Sequence, residues 1–313
     1  MRPRLAVTLG DPRGIGPEVA FKAGVGFGVG RKLTFVGPDR FESDVPDGHD
    51  FIGIGTSDET NASAGRASGM AIERAVRGAL DGEFHAVVTA PVHKPSLHAA
   101  GWAVPGQTEL LRDLSHAACV GMLMNAERTR LGVPLRILLA TTHHALRDVP
   151  ALATRSTLVE QTRLLAESLR RDWQIAEPRV ALCALNPHAS DEGLFGDEES
   201  TTLAPAVEDL RGSGWDVSGP LPADTVFLRA LAGEFDAVVA PYHDVGMAAF
   251  KTVSFGTGVN VTLGLPFVRT SPDHGTAFEI AGSGQADASS MTEAMHLAER
   301  LAAARFDTDS VDV

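Results

Sequence analysis

Three histidines stand just past short apolar runs of the chain. Thr141-Thr142-His143-His144 follows residues 137–140, Asn186-Pro187-His188 follows 180–185, and Pro241-Tyr242-His243-Asp244 follows 237–240. Three neutral imidazoles with one position left open form a catalytic metal site, where the cation polarises a substrate oxygen as a Lewis acid. Zinc suits such donors, and so do cobalt, nickel and iron. Taken singly, each histidine reads as readily as a side chain bonded to a loop carbonyl; its threefold recurrence after apolar runs favours the metal. His144 reads as a supporting residue, and His49, His85, His93, His98, His116 and His296 lack the pattern and read as surface or core positions. A second set is cationic and polar. Lys251 follows the third histidine loop, Asn260 lies inside the run 259–263, Arg269 ends Pro266-Phe267-Val268, and Lys94 closes Thr89-Ala90-Pro91-Val92-His93-Lys94. Gathered at one crevice, Lys and Arg make an anion site in which each charge-assisted hydrogen bond contributes about 1.5–3 kcal/mol. Solvated surface charge is the alternative.

These residues need a scaffold that brings distant loops to one edge. The runs 5–9, 33–36, 86–88, 136–140, 179–185, 237–240 and 259–263 are each short and almost continuously apolar, the pattern of strands covered on both faces. Between them lie amphipathic stretches at 70–80, 151–173 and 292–304. Strands alternating with such helices predict α/β layers around a mainly parallel sheet, whose ligand crevice lies at the C-terminal ends of the strands. Residues 10–18 (GDPRGIGPE) form a glycine-rich strand-to-helix turn, where Pro17 suits the first helical turn and free N–H groups favour an anion. Residues 24–30 (GVGFGVG) precede a strand and lack the G-x-G-x-x-G register, so they predict a turn and not a dinucleotide loop. The acidic stretch 190–199 reads as a solvated loop, with ligand orientation as the alternative.

The chain has 313 residues, 44% hydrophobic and 21% charged, and 27 Lys+Arg against 40 Asp+Glu give a net charge of −13. That balance repels nucleic acid and argues against it as a partner. No apolar run approaches the roughly 18–20 residues that span a bilayer, and the N-terminus turns polar at Asp11, too early for a secretion signal. A cytoplasmic protein without membrane partners is the expectation. Two cysteines, Cys119 and Cys183, exclude a disulfide framework and a four-cysteine zinc site.

Taken together, the motifs resemble the 4-hydroxythreonine-4-phosphate dehydrogenase family of pyridoxine biosynthesis. The matching segments are 9–18 (LGDPRGIGPE), 89–94 (TAPVHK), 141–143 (TTH), 185–189 (LNPHA), 219–227 (GPLPADTVF), 242–244 (YHD) and 258–278 (GVNVTLGLPFVRTSPDHGTAF), in the family's order over nearly the whole chain. The resemblance implies an α/β/α two-domain fold like that of isocitrate and isopropylmalate dehydrogenases. The domain boundaries we expect are 1–100 with 275–313 for the first and 101–274 for the second, which would carry most metal and substrate residues. It further implies His143, His188 and His243 as metal ligands, and a homodimer whose active site both subunits share. Gln107, Thr108, Lys251, Asn260 and Arg269 would bind a small anionic substrate, and Asp224, Asp244 and Lys251 would act in catalysis. The implied cofactors are NAD, with NADP as the alternative, and a divalent metal: zinc first, then cobalt, nickel, iron or magnesium. The implied reaction is oxidation of a secondary alcohol in 4-phosphooxy-L-threonine or a close phosphorylated hydroxy acid, then loss of the neighbouring carboxylate as CO2. Two departures bear on the substrate: the family's G-H-T-E segment is Gly106-Gln107-Thr108-Glu109 here, and Val245-Gly246 follows Asp244 where Gln-Gly is usual. Gln107 donates and accepts hydrogen bonds but carries no charge. Dehydrogenation of a four-carbon sugar-acid phosphate or an aromatic dihydrodiol dicarboxylate is the alternative within enzymes. A non-catalytic metal- or anion-binding module is the alternative outside them.

Overall fold

A computed structural model describes residues 2–28 and 31–306. Val29 and Gly30 of the glycine-rich turn, and residues 307–313 of the expected first domain, lie outside the described residues. The contacts divide the chain into two compact units, Met1–Val120 with Gly264–Val313, and Gly121–Leu263. Residues 101–120 and 264–274, placed with the second domain in the sequence expectation, fall in the first unit. Gln107, Thr108 and Arg269 therefore belong to the first unit, and the three histidines, Asp224, Asp244, Lys251 and Asn260 to the second.

In the first unit the strands are β1 (Leu5–Thr8), β2 (Leu33–Gly37), β3 (Asp50–Gly53) and β4 (Ala86–Thr89). The second unit supplies β5 (Gly121–Ala126), β6 (Leu135–Leu139), β7 (Val180–Cys183), β8 (Val217–Leu221), β9 (Ala237–Ala240) and β10 (Val259–Leu263), and the chain returns to the first with β11 (Val268–Pro272). The first unit runs β3-β2-β1-β4-β11, parallel throughout, and β1, β4 and β11 are buried at every position. The second runs β10-β5-β6-β9-β7-β8. There β6, β9, β7 and β8 are parallel, while β5 is antiparallel to both β10 and β6. The parallel strands read as continuous apolar runs because helices cover both faces.

Ala6, Val36, Ile72, Val76, Val87, Leu110, Leu111 and Phe267 pack one core of the first unit. Leu135, Ile137, Leu139, Ala181, Val226, Val238 and Phe250 pack a core of the second. The predicted helix at 151–173 is broken at its start: Val149–Leu152 stands apart, and Arg155–Asp172 begins where the Thr154 side chain accepts from the Thr157 N–H at 3.2 Å. The helix His243–Ser254 lies hard on the sheet at Gly246, where a β-carbon would come within 2.7 Å of Leu139 and 3.0 Å of Ala240. No helix among the described residues is long and apolar enough to cross a membrane.

Candidate active site

In the second unit the loops that carry His143, His188 and His243 follow the ends of β6, β7 and β9. β6 and β9 are parallel neighbours with Leu139 opposite Ala240, so the loops that follow them leave the sheet side by side. The Thr141 hydroxyl donates to the Pro241 carbonyl at 2.7 Å and stitches the two loops together. The His143 and His243 rings stand with centroids 5.2 Å apart. His243 opens the helix His243–Ser254 and Asp244 occupies its first turn, where a carboxylate is favoured by the helix dipole. His243 Nδ1 lies 2.8 Å from Asp244 Oδ1. A carboxylate on one ring nitrogen holds the proton there and leaves Nε2 as the electron-pair donor, the usual orientation of a metal-binding imidazole.

His188 follows β7 in a segment of unusual backbone. His188, Ala189, Ser190, Asp191 and Glu192 all have positive φ, between 46° and 64°. Left-handed backbone costs a non-glycine residue about 1–2 kcal/mol, so five in succession need surroundings that dictate them. The His188 side chain is 66% exposed, with Nδ1 3.9 Å from Asp224 Oδ2. Asp224 sits in the first turn of the helix Ala223–Leu231. Among the described residues no three His, Cys, Asp or Glu side chains form a group that could hold a metal. The donors therefore come as a pair, His143 with His243, and a separate His188–Asp224 pair. Their chemistry fits a divalent cation, since imidazoles oriented by carboxylates are its usual donors, but one chain does not assemble the full set. Lys251 lies further along the His243 helix, and Asn260 sits in β10 opposite Met124 with its buried Oδ1 making no hydrogen bond among the described residues.

In the first unit the polar residues converge on the end of β4. Arg269, in β11, is 3% exposed and donates to the Thr89 hydroxyl at 2.7 Å. Burial pushes its guanidinium down to about 10, with Glu109 opposing the shift, so it remains a cation at neutral pH. Gln107 opens the helix Gln107–Ser115; its Nε2 donates to the Ala90 carbonyl at 3.3 Å, and its Oε1 is buried with no hydrogen bond among the described residues. Thr108 is the next residue of that helix. A β-carbon on Gly106 would lie 3.2 Å from Glu109 Oε2 and 3.9 Å from Lys94 Nζ, so both charges border this turn.

The turn at 10–18 holds its own ion pair in place of a free anion cradle. Asp11 is 0% exposed and accepts from Arg13 Nε at 3.0 Å, Nη2 at 2.9 Å and the Arg13 N–H at 3.1 Å. The N–H groups of Asp11, Gly14 and Ile15 are spent on the carbonyls of Pro91, Asp11 and Thr276. Arg13 continues to Asn61 Oδ1 at 2.8 Å and Ser96 Oγ at 2.7 Å, stands over the Phe278 ring, and is held above its ordinary pKa by the hydrogen bonds to Asp11. His93 Nδ1 lies 2.8 Å from the same Ser96 hydroxyl. Sequence reasoning missed this network because its members are spread over residues 11–278. It also missed Glu199, which ends an acidic run read as a solvated loop but is 4% exposed. A buried Glu beside the histidine loop carries no sequence signal of its own.

The pattern of the family described as Pyridoxal phosphate biosynthetic protein PdxA matches residues 40–298. The chain belongs to this family. It is similar to the 4-hydroxythreonine-4-phosphate dehydrogenase of Paracoccus denitrificans (strain Pd 1222), at 40% identity over 96% of this chain and 98% of that one. It is similar also to the D-threonate 4-phosphate dehydrogenase of Salmonella typhimurium (strain LT2), at 39% identity over 95% and 98%. A crystal structure of the 4-hydroxythreonine-4-phosphate dehydrogenase from Klebsiella pneumoniae superposes with a TM-score of 0.85 at 37% identity, covering 96% of this chain and 99% of that one. The fold alone extends to the isocitrate dehydrogenase of Methylococcus capsulatus, with a TM-score of 0.52 at 15% identity over 97% and 88%. The PdxA-family chain thus has the isocitrate-dehydrogenase-like α/β architecture expected from its motifs, and its named relatives are dehydrogenases.

Proposed function

We propose that this protein oxidises a phosphorylated four-carbon hydroxy acid with NAD and a divalent cation, then releases the adjacent carboxylate as CO2. The observation that carries the proposal is the pair His143 and His243, 5.2 Å apart at the ends of two neighbouring parallel strands, with Asp244 on the outer nitrogen of His243. His143, His188 and His243 would hold the metal, and the incomplete set in one chain supports a homodimer in which the partner subunit completes it. When bound, the cation supplies Lewis acidity toward a substrate oxygen and nicotinamide supplies the hydride acceptor.

The chain's own residues do the rest. Asp244, 2.8 Å from Nδ1, would orient the His243 ring so that Nε2 faces the cation; Asp224, 61% exposed beside His188, is a carboxylate placed to take the substrate hydroxyl proton. Arg269, fixed by Thr89 and kept cationic inside the protein, is a preorganised partner for a carboxylate or phosphate, with Lys94 bordering the neighbouring Gly106 turn of the same unit; Lys251 would be a substrate-binding cation of the second unit. Thr108, and the oxygens of Gln107 and Asn260 that make no hydrogen bond among the described residues, would take hydrogen bonds from the substrate. A free acceptor at Gln107 would suit a substrate amine or hydroxyl equally. We therefore keep two phosphorylated candidates, 4-phosphooxy-L-threonine and D-threonate 4-phosphate, on which the two relatives of nearly equal identity are named to act. The test is NADH formation with each compound and with its unphosphorylated counterpart. NADH from a phosphorylated member supports the proposal; turnover confined to unphosphorylated acids contradicts it.

A further inference from the structure

The loop that presents His188 is built on a buried carboxylate outside the expected ligand set. The ladder of β7 ends at Ala184, whose N–H donates to the Leu221 carbonyl at 2.8 Å. The next two amides have no strand to pair with. Both turn to Glu199 Oε1, Leu185 N–H at 2.9 Å and Asn186 N–H at 2.7 Å. Asn186 Nδ2 then donates to Glu199 Oε2 at 2.9 Å and to Glu198 Oε2 at 2.7 Å. Gly196 closes the cradle: a β-carbon there would stand 2.8 Å from Asn186 Nδ2 and 2.6 Å from Glu198 Oε2. The left-handed run begins two residues later, at His188.

The amides of Leu185 and Asn186 are partly buried and meet a buried carboxylate, so the direction in which the chain leaves β7 is set by where that acceptor stands. Glu199 supplies that acceptor for two consecutive amides and for the side chain between them and Pro187. We infer that Glu199 is a positioning residue for His188: it fixes the strand exit at 185–186 and so forces the left-handed turn that projects the imidazole. Asn186 and Glu198 steady the carboxylate. The inference rests on the reading of His188 as a metal donor, and residues that orient a metal ligand typically change affinity about 10–100-fold when altered.

The test uses the full-length protein stripped of metal and titrated with zinc, as wild type, Glu199→Gln, Glu199→Ala and Glu299→Gln. Melting temperature and amide exchange at Leu185 and Asn186 are recorded for each. Glu299 is another buried carboxylate, 3.4 Å from Arg31 in the first unit, and serves as the control for lost stability alone. We expect zinc affinity to fall at least about tenfold in Glu199→Ala and by less in Glu199→Gln, which keeps one carbonyl oxygen for the two amides. Exchange at 185 and 186 should accelerate in both, while Glu299→Gln melts earlier but binds zinc as wild type does. Wild-type zinc affinity in folded Glu199 variants overturns the inference, as does an equal loss in Glu299→Gln. If Glu199→Ala does not fold, Glu199→Gln decides. Wild type that binds no zinc contradicts the metal reading by itself; unchanged exchange at 185 and 186 in Glu199→Gln then overturns the positioning role separately.

Discussion

One polar cluster in each unit shows two opposite ways of placing polar residues. In the first, Asp11, Arg13, Ser96 and His93 form a continuous chain of hydrogen bonds, and Arg269 is buried against Thr89. In the second, His188 and Asp224 are mostly exposed, 3.9 Å apart, and His188 stands on a strained backbone. A satisfied buried network rigidifies its surroundings, whereas exposed donors on a strained loop remain open to an outside partner. Substitutions in the first unit should therefore move stability or substrate affinity. Substitutions at the histidines should move metal binding and turnover and leave the melting temperature nearly alone.

The largest expected effect is at His188. His188→Ala should remove metal-dependent turnover, by roughly a thousandfold or more since a Lewis acid contributes several kcal/mol, with little change in melting because the side chain is 66% exposed. A mutant with wild-type rate and metal content would sink the assignment. Next is Asp11→Ala, which leaves Arg13 without its buried partner and should cost about 3–5 kcal/mol in denaturant unfolding. An unchanged midpoint would erase the contrast between the units. Arg269→Lys follows: a lysine cannot reproduce the fixed fork, so KM for the phosphorylated acid should rise about tenfold or more with metal affinity untouched.

The smallest effect is on pH. Burial lowers the pKa of His85 and His296 in the first unit below the ordinary 6.5. Their neutral forms are favoured in the folded state, so the unfolded chain binds more protons just below that value. Their contribution to stability is complete above 6.5 and is lost as pH falls through 6.5 toward the lowered values. Melting temperature should drop on mild acidification, and His85→Gln should flatten that slope; a parallel slope in the mutant would remove His85 from the explanation.

Much of this was legible in the sequence. The runs at 5–8, 86–89, 180–183 and 237–240 are continuous in hydrophobicity because both sheet faces are covered, and a histidine just past such a run announces a strand-end loop. β5 was not legible. Gly121–Ala126 reads as an ordinary mixed segment, and its antiparallel pairing with β6 and β10 is decided by the path of the chain. Nor could composition separate Glu199 from Asp191 or Glu192. All three sit in one acidic run, and only the unmet amides of Leu185 and Asn186 bury the first of them. The placement of Arg269 in the first unit was hidden for a similar reason: it depends on the chain returning there after Leu263, while Gln107 sits there because the chain does not leave the first unit until Val120.

The most direct test of the central claim is NADH formation by the metal-stripped protein on 4-phosphooxy-L-threonine and D-threonate 4-phosphate, with CO2 measured alongside. We predict no turnover without metal, recovery with zinc or another divalent cation, and CO2 in step with NADH on at least one of the two. Turnover that persists in chelator, or bound metal with no activity on either compound, would contradict a metal-dependent decarboxylating dehydrogenase.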